Sequence, residues 1–188
     1  MKYRFKPAET PEEFEQIFRL NHDVFAEELG QYSAQPSARL VDKFHSKNQY
    51  VIALFEDAVV AMISVHFEPP YSVAQKLADP SVLEPLGNLA EIRLLAIVPA
   101  HRHGTLLRGL FVAVYDRSRA CDTLVISGRV EKQAMYRSLG FRPLGPAVRS
   151  GAAEYIPMAV KVSALAARAA KWGRPPGLRP VSRPALPP

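Results

Sequence analysis

The sequence lacks the features of secreted, membrane-spanning and metal-binding proteins. Its one cysteine, Cys121, excludes an intramolecular disulfide and fits a reducing compartment, so we predict a cytoplasmic protein. The longest apolar runs, Ala58–Val65 and Leu94–Pro99, have the length of strands and fall far below the roughly 20 residues that span a bilayer. The N-terminal residues alternate basic and aromatic side chains, unlike a signal peptide. The histidines have no metal-ligand spacing, so we predict no metal site.

Acidic residues are absent from Lys161 to the last residue. This segment carries six basic side chains, which account for the whole net charge of +6, so residues 1–160 are neutral overall. A folded nucleic-acid-binding domain carries its basic surface on the domain itself, and we therefore predict no specific nucleic-acid partner. With 188 residues, 48% of them hydrophobic, the chain is long enough for one globular domain with a sizeable core.

The spacing of apolar residues predicts one mixed α/β domain over residues 1–160. Thr10-Pro11-Glu12-Glu13 has the pattern of a helix start with a capping box. Residues 50–55 and 59–67 are apolar, β-branched runs joined by Glu56-Asp57, which predicts a hairpin. The predicted order is β-α-α-β-β-β-α-β-α-β-β, which gives a central mixed sheet of six to seven strands flanked by helices.

Beyond Val160 the composition changes. Residues 161–173 have the pattern of a basic amphipathic helix, which either covers the domain or docks on a membrane surface or an acidic partner. Residues 174–188 contain six prolines and little that could be buried, so we predict a disordered tail that is dispensable for folding.

The strand predicted at Ala90–Val98 carries two charges in its middle. Alternation places Glu91 and Arg93 on one face of the strand. The opposite face is predicted to carry only apolar side chains: Ala90, Ile92, Leu94, Ala96 and Val98. The two charges either form an ion pair, with each other or with a neighbouring strand, or place Glu91 on the floor of a cleft. In the second case Glu91 is a candidate general base, acting directly or through water.

The loop Pro99–Thr105 lies between this strand and a predicted helix. Thr105 is expected to cap the helix, and Gly104 lets a ligand approach the backbone closely. The N–H groups of His103 to Leu107 would then face outward at a helix N-terminus, where an anion such as a phosphate is stabilised. Arg102 would add charge-assisted hydrogen bonds.

Tyr136 lies at the end of a second strand-and-helix unit. Gly140 is expected to end its helix and Phe141 to start the next strand. The ring is either a packed aromatic with a solvated hydroxyl or a proton donor held near the loop.

Together, the strand ending in Ile97-Val98-Pro99, the loop after it and Tyr136-Arg-Ser-Leu-Gly-Phe141 resemble the GCN5-related N-acetyltransferase (GNAT) superfamily. The resemblance covers residues 1–160 and implies the GNAT-like fold with a coenzyme A thioester as donor. It implies Tyr136 as the acid that protonates the leaving thiolate and Glu91 as the base. It also implies that the donor is bound by the backbone and side chains of Leu95, Ala96, Ile97, Arg102, His103, Gly104, Thr105, Leu106 and Leu107.

A narrower resemblance lies upstream, in Arg19–Gly30 and Val41–Phe44, which look like the opening of the autoinducer-synthase and N-acyl amino acid synthase branch. It implies an acetyl or longer acyl group taken from acyl-CoA or acyl carrier protein. It further implies an acceptor that is a small-molecule amine such as an amino acid. In the loop after Pro99 the family's glycines are displaced or missing. The alternative function is therefore a non-catalytic acyl-thioester-binding or regulatory module with the same fold.

Overall fold

A computed structural model describes residues 3–151 and 153–179. Its strands form one sheet in the order β1-β2-β3-β4-β5-β8-β6, with β7 also paired to β8. β4 and β5 are parallel, and all the other neighbours are antiparallel. The strands are β1 (Arg4–Pro7), β2 (Gln49–Phe55), β3 (Ala58–His66), β4 (Leu89–Ile97), β5 (Thr123–Arg129), β6 (Arg142–Pro143), β7 (Val148–Ser150) and β8 (Ala153–Lys161).

Helices flank this sheet on both faces, which confirms the predicted mixed α/β fold. The α-helices are α1 (Pro11–Asn21), α2 (Gly104–Arg117), α3 (Gln133–Ser138) and α4 (Val162–Trp172). The second predicted helix is a π-helical segment, His22–Glu28, and 3-10 turns occupy Ser72–Lys76, Pro80–Leu86, Pro99–His101 and Val130–Lys132. Among the helices in the described ranges, none has the length and apolar character to cross a membrane.

Local sequence determines the first elements as predicted. Thr10 caps α1, since its hydroxyl accepts from the N–H of Glu13 at 3.3 Å while the Glu13 carboxylate accepts from the N–H of Thr10 at 3.2 Å. Glu56 and Asp57 have φ angles of 49° and 63°, the left-handed pair that a two-residue hairpin turn requires. The predicted hairpin of β2 and β3 is therefore present.

The core consists of layers on the two faces of the sheet. On one face α2 and α4 bury Leu110, Phe111 and Leu165 against the strands. The opposite face is covered by α1 and the π-helical segment near β2 and β3, and by the two 3-10 turns between Ser72 and Leu86 near β4 and β5.

β4 departs from the predicted alternation at a β-bulge. Met62 pairs with Ala96 and Ser64 with Arg93, so two residues of β4, Leu94 and Leu95, stand opposite one residue of β3. Leu94 has a φ of 48°, a conformation that is uncommon for a residue with a side chain. The bulge turns Leu95 and Ile97 toward the α2 face, while Leu94 and Ala96 pack toward α1. The prediction of one apolar face from Ala90 to Val98 is therefore wrong beyond Ile92.

The first residues of the predicted disordered tail are packed against the domain. The carbonyl of Pro176 accepts from the N–H of Phe5 at 2.9 Å, and Leu178 is buried in the core beside α2. Arg174 lies 2.9 Å from the buried carboxylate of Asp116. Residues 174–179 are thus an ordered strap along β1 and α2, because Leu178 and Arg174 find partners that composition does not reveal. The rest of the predicted tail, 180–188, lies outside the described residues.

We expect a chain ending at Gly173 to be less stable than one ending at Arg179. Removal of the strap exposes the Leu178 site, breaks the Phe5–Pro176 hydrogen bond and leaves Asp116 without Arg174. The expected loss is about 2–4 kcal/mol in the free energy of unfolding, measured by urea denaturation. Leu178→Ala in the full chain should reproduce most of it. Equal midpoints for the two truncated chains would show that the strap contributes nothing.

Candidate active site

A gap in the sheet between β4 and β5 is the central feature of the site. The two strands pair only at Leu89–Thr123, Ala90–Leu124 and Glu91–Val125. Beyond these pairs β4 continues to Ile97 on β3, and β5 continues to Arg129 on β8. Each strand is held on its outer edge and unpaired on its inner edge, so the gap exposes backbone hydrogen-bonding groups that a ligand can use.

The backbone of Ile97 faces this gap. Val98 donates its N–H to Val60 of β3 at 2.9 Å, and since successive residues of a strand point to opposite edges, Ile97 presents its N–H away from β3. Leu95 and Ile97 are half-buried on the α2 face. The segment Leu95–Ile97 therefore lies along the gap.

Tyr136 belongs to α3, and its ring covers β5 at the same face. Its ring packs on Gly128, where a Cβ would lie 2.8 Å from the ring carbons, so only glycine allows this contact. The ring also contacts Phe141 edge-on, with centroids 6.1 Å apart. Burial raises the pKa of Tyr136 to about 12, which keeps the phenol protonated at neutral pH. No hydrogen bond joins the hydroxyl to any residue of the described ranges, so the proton is available to a ligand.

Glu91 is sealed beneath the 3-10 turn Ser72–Lys76 on the opposite face. Its carboxylate accepts from the N–H of Ser72 at 2.6 Å, the hydroxyl of Ser72 at 2.6 Å and the N–H of Val73 at 2.8 Å. His66 Nε2 lies 3.0 Å from the same carboxylate, and His66 Nδ1 lies 3.0 Å from the carbonyl of Glu68. Each ring nitrogen of His66 thus lies within hydrogen-bonding distance of an oxygen.

This environment differs from the cleft floor expected for Glu91. The Glu91 side chain is 1% exposed. Burial by itself would raise its pKa, but hydrogen bonds from His66 and Ser72 outweigh burial and leave the pKa below its ordinary value. A carboxylate with four donors and a lowered pKa is a weak base with no free lone pair facing the gap. Of the predicted partners for Glu91, the structure shows one on a neighbouring strand, His66 of β3, and not Arg93.

Arg93 is paired with a residue that sequence reasoning did not select. Its guanidinium donates to both carboxylate oxygens of Asp42, at 3.2 and 2.8 Å, and to the hydroxyl of Ser72. It also stacks over Phe44, 4.6 Å from the ring centroid. Asp42 and Phe44 belong to the upstream segment that carried the narrower resemblance. That resemblance was the only signal in the sequence that could have placed them at the site.

The loop before α2 leaves only part of the predicted N–H groups free, and its cap differs from the prediction. The N–H of His103 donates to the carbonyl of His101 at 2.9 Å. His103 occupies the N-cap position without a side-chain hydrogen bond, and α2 begins at Gly104. Thr105 is thus the second residue of the helix and not its cap. The first helical bond runs from the N–H of Leu107 to His103, so the N–H groups of Gly104, Thr105 and Leu106 have no acceptor within the helix. These three free N–H groups, which follow the end of β4, remain the predicted anion site.

Arg102 points away from this anion site. Its guanidinium binds both oxygens of Glu28 in the π-helical segment, and its Nε donates to the carbonyl of Ile97 at 2.9 Å. The pKa of Glu28 is lowered by this hydrogen bonding to Arg102. The expected phosphate contact of Arg102 therefore does not form here, because a carboxylate distant in sequence takes the guanidinium. His101 and His103 are likewise held, each at 2.9 Å from the Tyr3 hydroxyl.

A cavity of about 540 Å³ lies on the β1 side of α2 and not in the gap. It is lined by Thr105 from the first turn of α2 and by three cations, Arg108, Lys171 and Arg174. Within the described residues, no group of three His, Cys, Asp or Glu side chains is placed to hold a metal ion.

Comparison with solved structures identifies the same fold in acyl-transferring synthases. The CoA-dependent acyl-homoserine lactone synthase BjaI, solved with SAM and isopentyl-CoA, aligns with a TM-score of 0.71 at 22% identity, over 92% of this chain and 87% of BjaI. FeeM, an N-acyl amino acid synthase from uncultured soil microbes, aligns with a TM-score of 0.68 at 17% identity, over 86% of this chain and 91% of FeeM. The AHL synthase LasI gives a TM-score of 0.66 at 15% identity, over 85% and 89% of the two chains.

The sequence comparison agrees with the structural one. No curated protein sequence matches the chain. The family model described as N-acyl amino acid synthase FeeM matches residues 16–160, which include the gap, the loop before α2 and Tyr136. The protein is thus a GNAT-like acyltransferase, and it belongs to the FeeM N-acyl amino acid synthase family.

Proposed function

We propose that this enzyme transfers an acyl group from a coenzyme A or acyl carrier protein thioester to the amine of a small molecule such as an amino acid. The observation that carries the proposal is the gap between β4 and β5, which has Tyr136 and the α2 N-terminus on one face and a polar surface on the other. A thioester entering from the α2 face can then meet an amine entering from the opposite face.

The donor would be held by backbone groups. The N–H groups of Gly104, Thr105 and Leu106 would bind a phosphate, and the inner edge of Leu95–Ile97 would bind the amides of the pantetheine arm. Because Arg102 is occupied by Glu28, this cradle suits a donor with few phosphate contacts. The exposed Arg108 and Lys171 beside the first turns of α2 favour an acidic carrier protein as one source of the thioester.

The reaction needs one nucleophile and one proton donor. The neutral amine attacks the thioester carbonyl, the new C–N bond forms, and the C–S bond breaks as the tetrahedral intermediate collapses. The departing thiolate takes the hydroxyl proton of Tyr136, and the amine nitrogen releases its extra proton to water. Tyr136 is then reprotonated from solvent, so atoms and charge balance.

Glu91 has a different task in this scheme from the one expected of it. Since its carboxylate is saturated by Ser72, Val73 and His66, it positions the turn Ser72–Lys76 at the end of the paired part of β4 and β5. We therefore propose Glu91 as a positioning residue.

The function is tested with purified protein, octanoyl-coenzyme A or octanoyl carrier protein, and the protein amino acids. Release of free thiol is followed together with mass spectrometry of the products. Formation of N-octanoyl amino acids supports the proposal. Thiol release without any N-acyl product would show that the enzyme hydrolyses the thioester and would contradict it.

Tyr136→Phe should lower kcat by about ten- to a thousandfold, the loss expected when a general acid is removed. Since the hydroxyl makes no hydrogen bond to the described residues, we expect stability to change by less than about 1 kcal/mol. Tyr115→Phe in α2 makes the same change at another half-buried tyrosine; it is the matched control and should keep full activity. A well-folded Tyr136→Phe enzyme with normal kcat for poor leaving thiols would exclude Tyr136 as the acid.

Gly104→Val should weaken coenzyme A binding by about tenfold or more while leaving the fold intact. A Cβ at Gly104 has no atom within 4 Å, so the free protein tolerates it, but a phosphate on the helix N-terminus would meet the new side chain. Titration calorimetry measures the effect, with Gly145→Val as control, since a Cβ there also meets only ordinary contacts. Equal affinities in the two variants would move the phosphate site elsewhere.

We expect Glu91→Gln mainly to lower the free energy of unfolding. Breaking a buried, hydrogen-bonded charge pair costs about 3–5 kcal/mol, measured by urea unfolding, with the exposed Glu84→Gln as control. Because folding lowers the pKa of Glu91, this contribution is complete above the ordinary glutamate pKa of about 4.3 and is lost as the pH falls toward the lowered value. A stable Glu91→Gln enzyme that had lost the pH dependence of kcat would instead return Glu91 to the role of base.

A further inference from the structure

The face of the gap opposite Tyr136 carries polar groups on both arms. Arg93 lies on the β4 arm, while Ser127 and Arg129 lie on the β5 arm, beyond the last pair Glu91–Val125. Val125 packs under the 3-10 turns and Ile126 packs toward α2, so alternation places Ser127 and Arg129 on the Val125 side. An acceptor approaching the thioester from this face passes these side chains.

The charge of Arg93 is already balanced. Asp42 takes its Nε and Nη2, and Ser72 takes its Nη1. Each of its three nitrogens therefore already donates a hydrogen bond.

Arg129 is satisfied on one edge only. Its Nε and Nη2 donate to the two oxygens of Glu131 at 3.3 and 3.1 Å. Its Nη1 is buried and has no hydrogen-bond partner among the described residues, and the same is true of the Ser127 hydroxyl. A buried polar atom without a partner is costly, so two of them at alternate positions of one strand point to a missing ligand.

The two groups suit an anion of the size of a carboxylate. Alternate residues of a strand stand about 6.6 Å apart on one face, a distance that the long Arg129 side chain can shorten. The guanidinium and the hydroxyl can both donate hydrogen bonds, and a carboxylate only accepts them. A second cation, Lys76, lies on the same face, 5.3 Å above the ring of Tyr155, which pairs with Arg129 across β5 and β8. Glu131 offsets Arg129 at an exposed position, where solvent weakens its effect.

We propose that Ser127 Oγ and Arg129 Nη1 bind the carboxylate of the acceptor, and so restrict the enzyme to amines that are amino acids. The inference rests on the proposed function and names the acceptor subsite within it. Gly128 lies between the two residues and carries Tyr136 on its other face. A carboxylate anchored at Ser127 and Arg129 therefore holds the α-amine beside the gap, across the strand from the acid that serves the leaving thiolate.

The experiment compares protein amino acids with their carboxamides as acceptors, using octanoyl-coenzyme A as donor. Arg129→Gln should raise KM for the amino acids by about ten- to a hundredfold, the range for a lost hydrogen bond to a charged group, with a smaller change in kcat. Ser127→Ala should raise it by less. KM for the carboxamides and for the donor should stay at the wild-type value in both variants. Arg149→Gln, an exposed arginine of β7, makes the same charge change and should alter none of these constants.

The possible results distinguish failure of the carboxylate site from failure of the proposed acyltransferase function. Wild-type enzyme that acylates amino acids and carboxamides with equal KM, or an Arg129→Gln enzyme with unchanged KM for amino acids, overturns the carboxylate site and leaves the acyltransferase intact. If Arg129→Gln does not fold, the KM of Ser127→Ala for amino acids tests the site, because this variant removes one atom only. If no acceptor of either kind is acylated by wild-type enzyme, the proposed function fails and this inference fails with it.

Discussion

The early end of the pairing between β4 and β5 is the constraint on which the site depends. Three residue pairs join the strands, and then each follows its outer neighbour, β3 or β8. The bulge at Leu94 and Leu95 follows the last pair with β5 by three residues, and a bulge of this kind increases the local twist of its strand. Backbone groups that a closed sheet would have satisfied are left for a ligand, and both faces of the sheet reach the same opening.

Buried charge determines what each face of the opening can do. On the face away from α2, Glu91 binds His66 and the turn at Ser72, while Asp42 binds Arg93. Breaking such pairs is expensive, so they form a rigid polar layer beside the last paired residues of β4 and β5. A carboxylate that accepts several hydrogen bonds and has a lowered pKa is a weak base, and this holds for both Glu91 and Asp42.

Sequence reasoning predicted elements whose cause is local and missed contacts whose cause is distant. The capping box at Thr10, the hairpin turn at Glu56 and the helix after the loop at Gly104 each follow from neighbouring residues. The bulge at Leu94 has no local signal, since nothing in a run of leucines requires a positive φ. Arg102 was assigned to a phosphate because its partner Glu28 lies 74 residues away. The strap was missed because prolines predict disorder, whereas Leu178 finds a place in the core.

Gly128 lies between the side chains proposed for the leaving group and those proposed for the acceptor. Its missing side chain lets Tyr136 lie flat on β5 at one face, and its neighbours Ser127 and Arg129 project from the other. Burial raises the pKa of Tyr136 to about 12 and so keeps the phenol protonated at neutral pH. In the proposed reaction, the proton donor for the leaving thiolate and the anchor for the acceptor would be separated by the thickness of one strand. The amine would then approach the carbonyl from one side of the sheet while Tyr136 protonates the sulfur from the other.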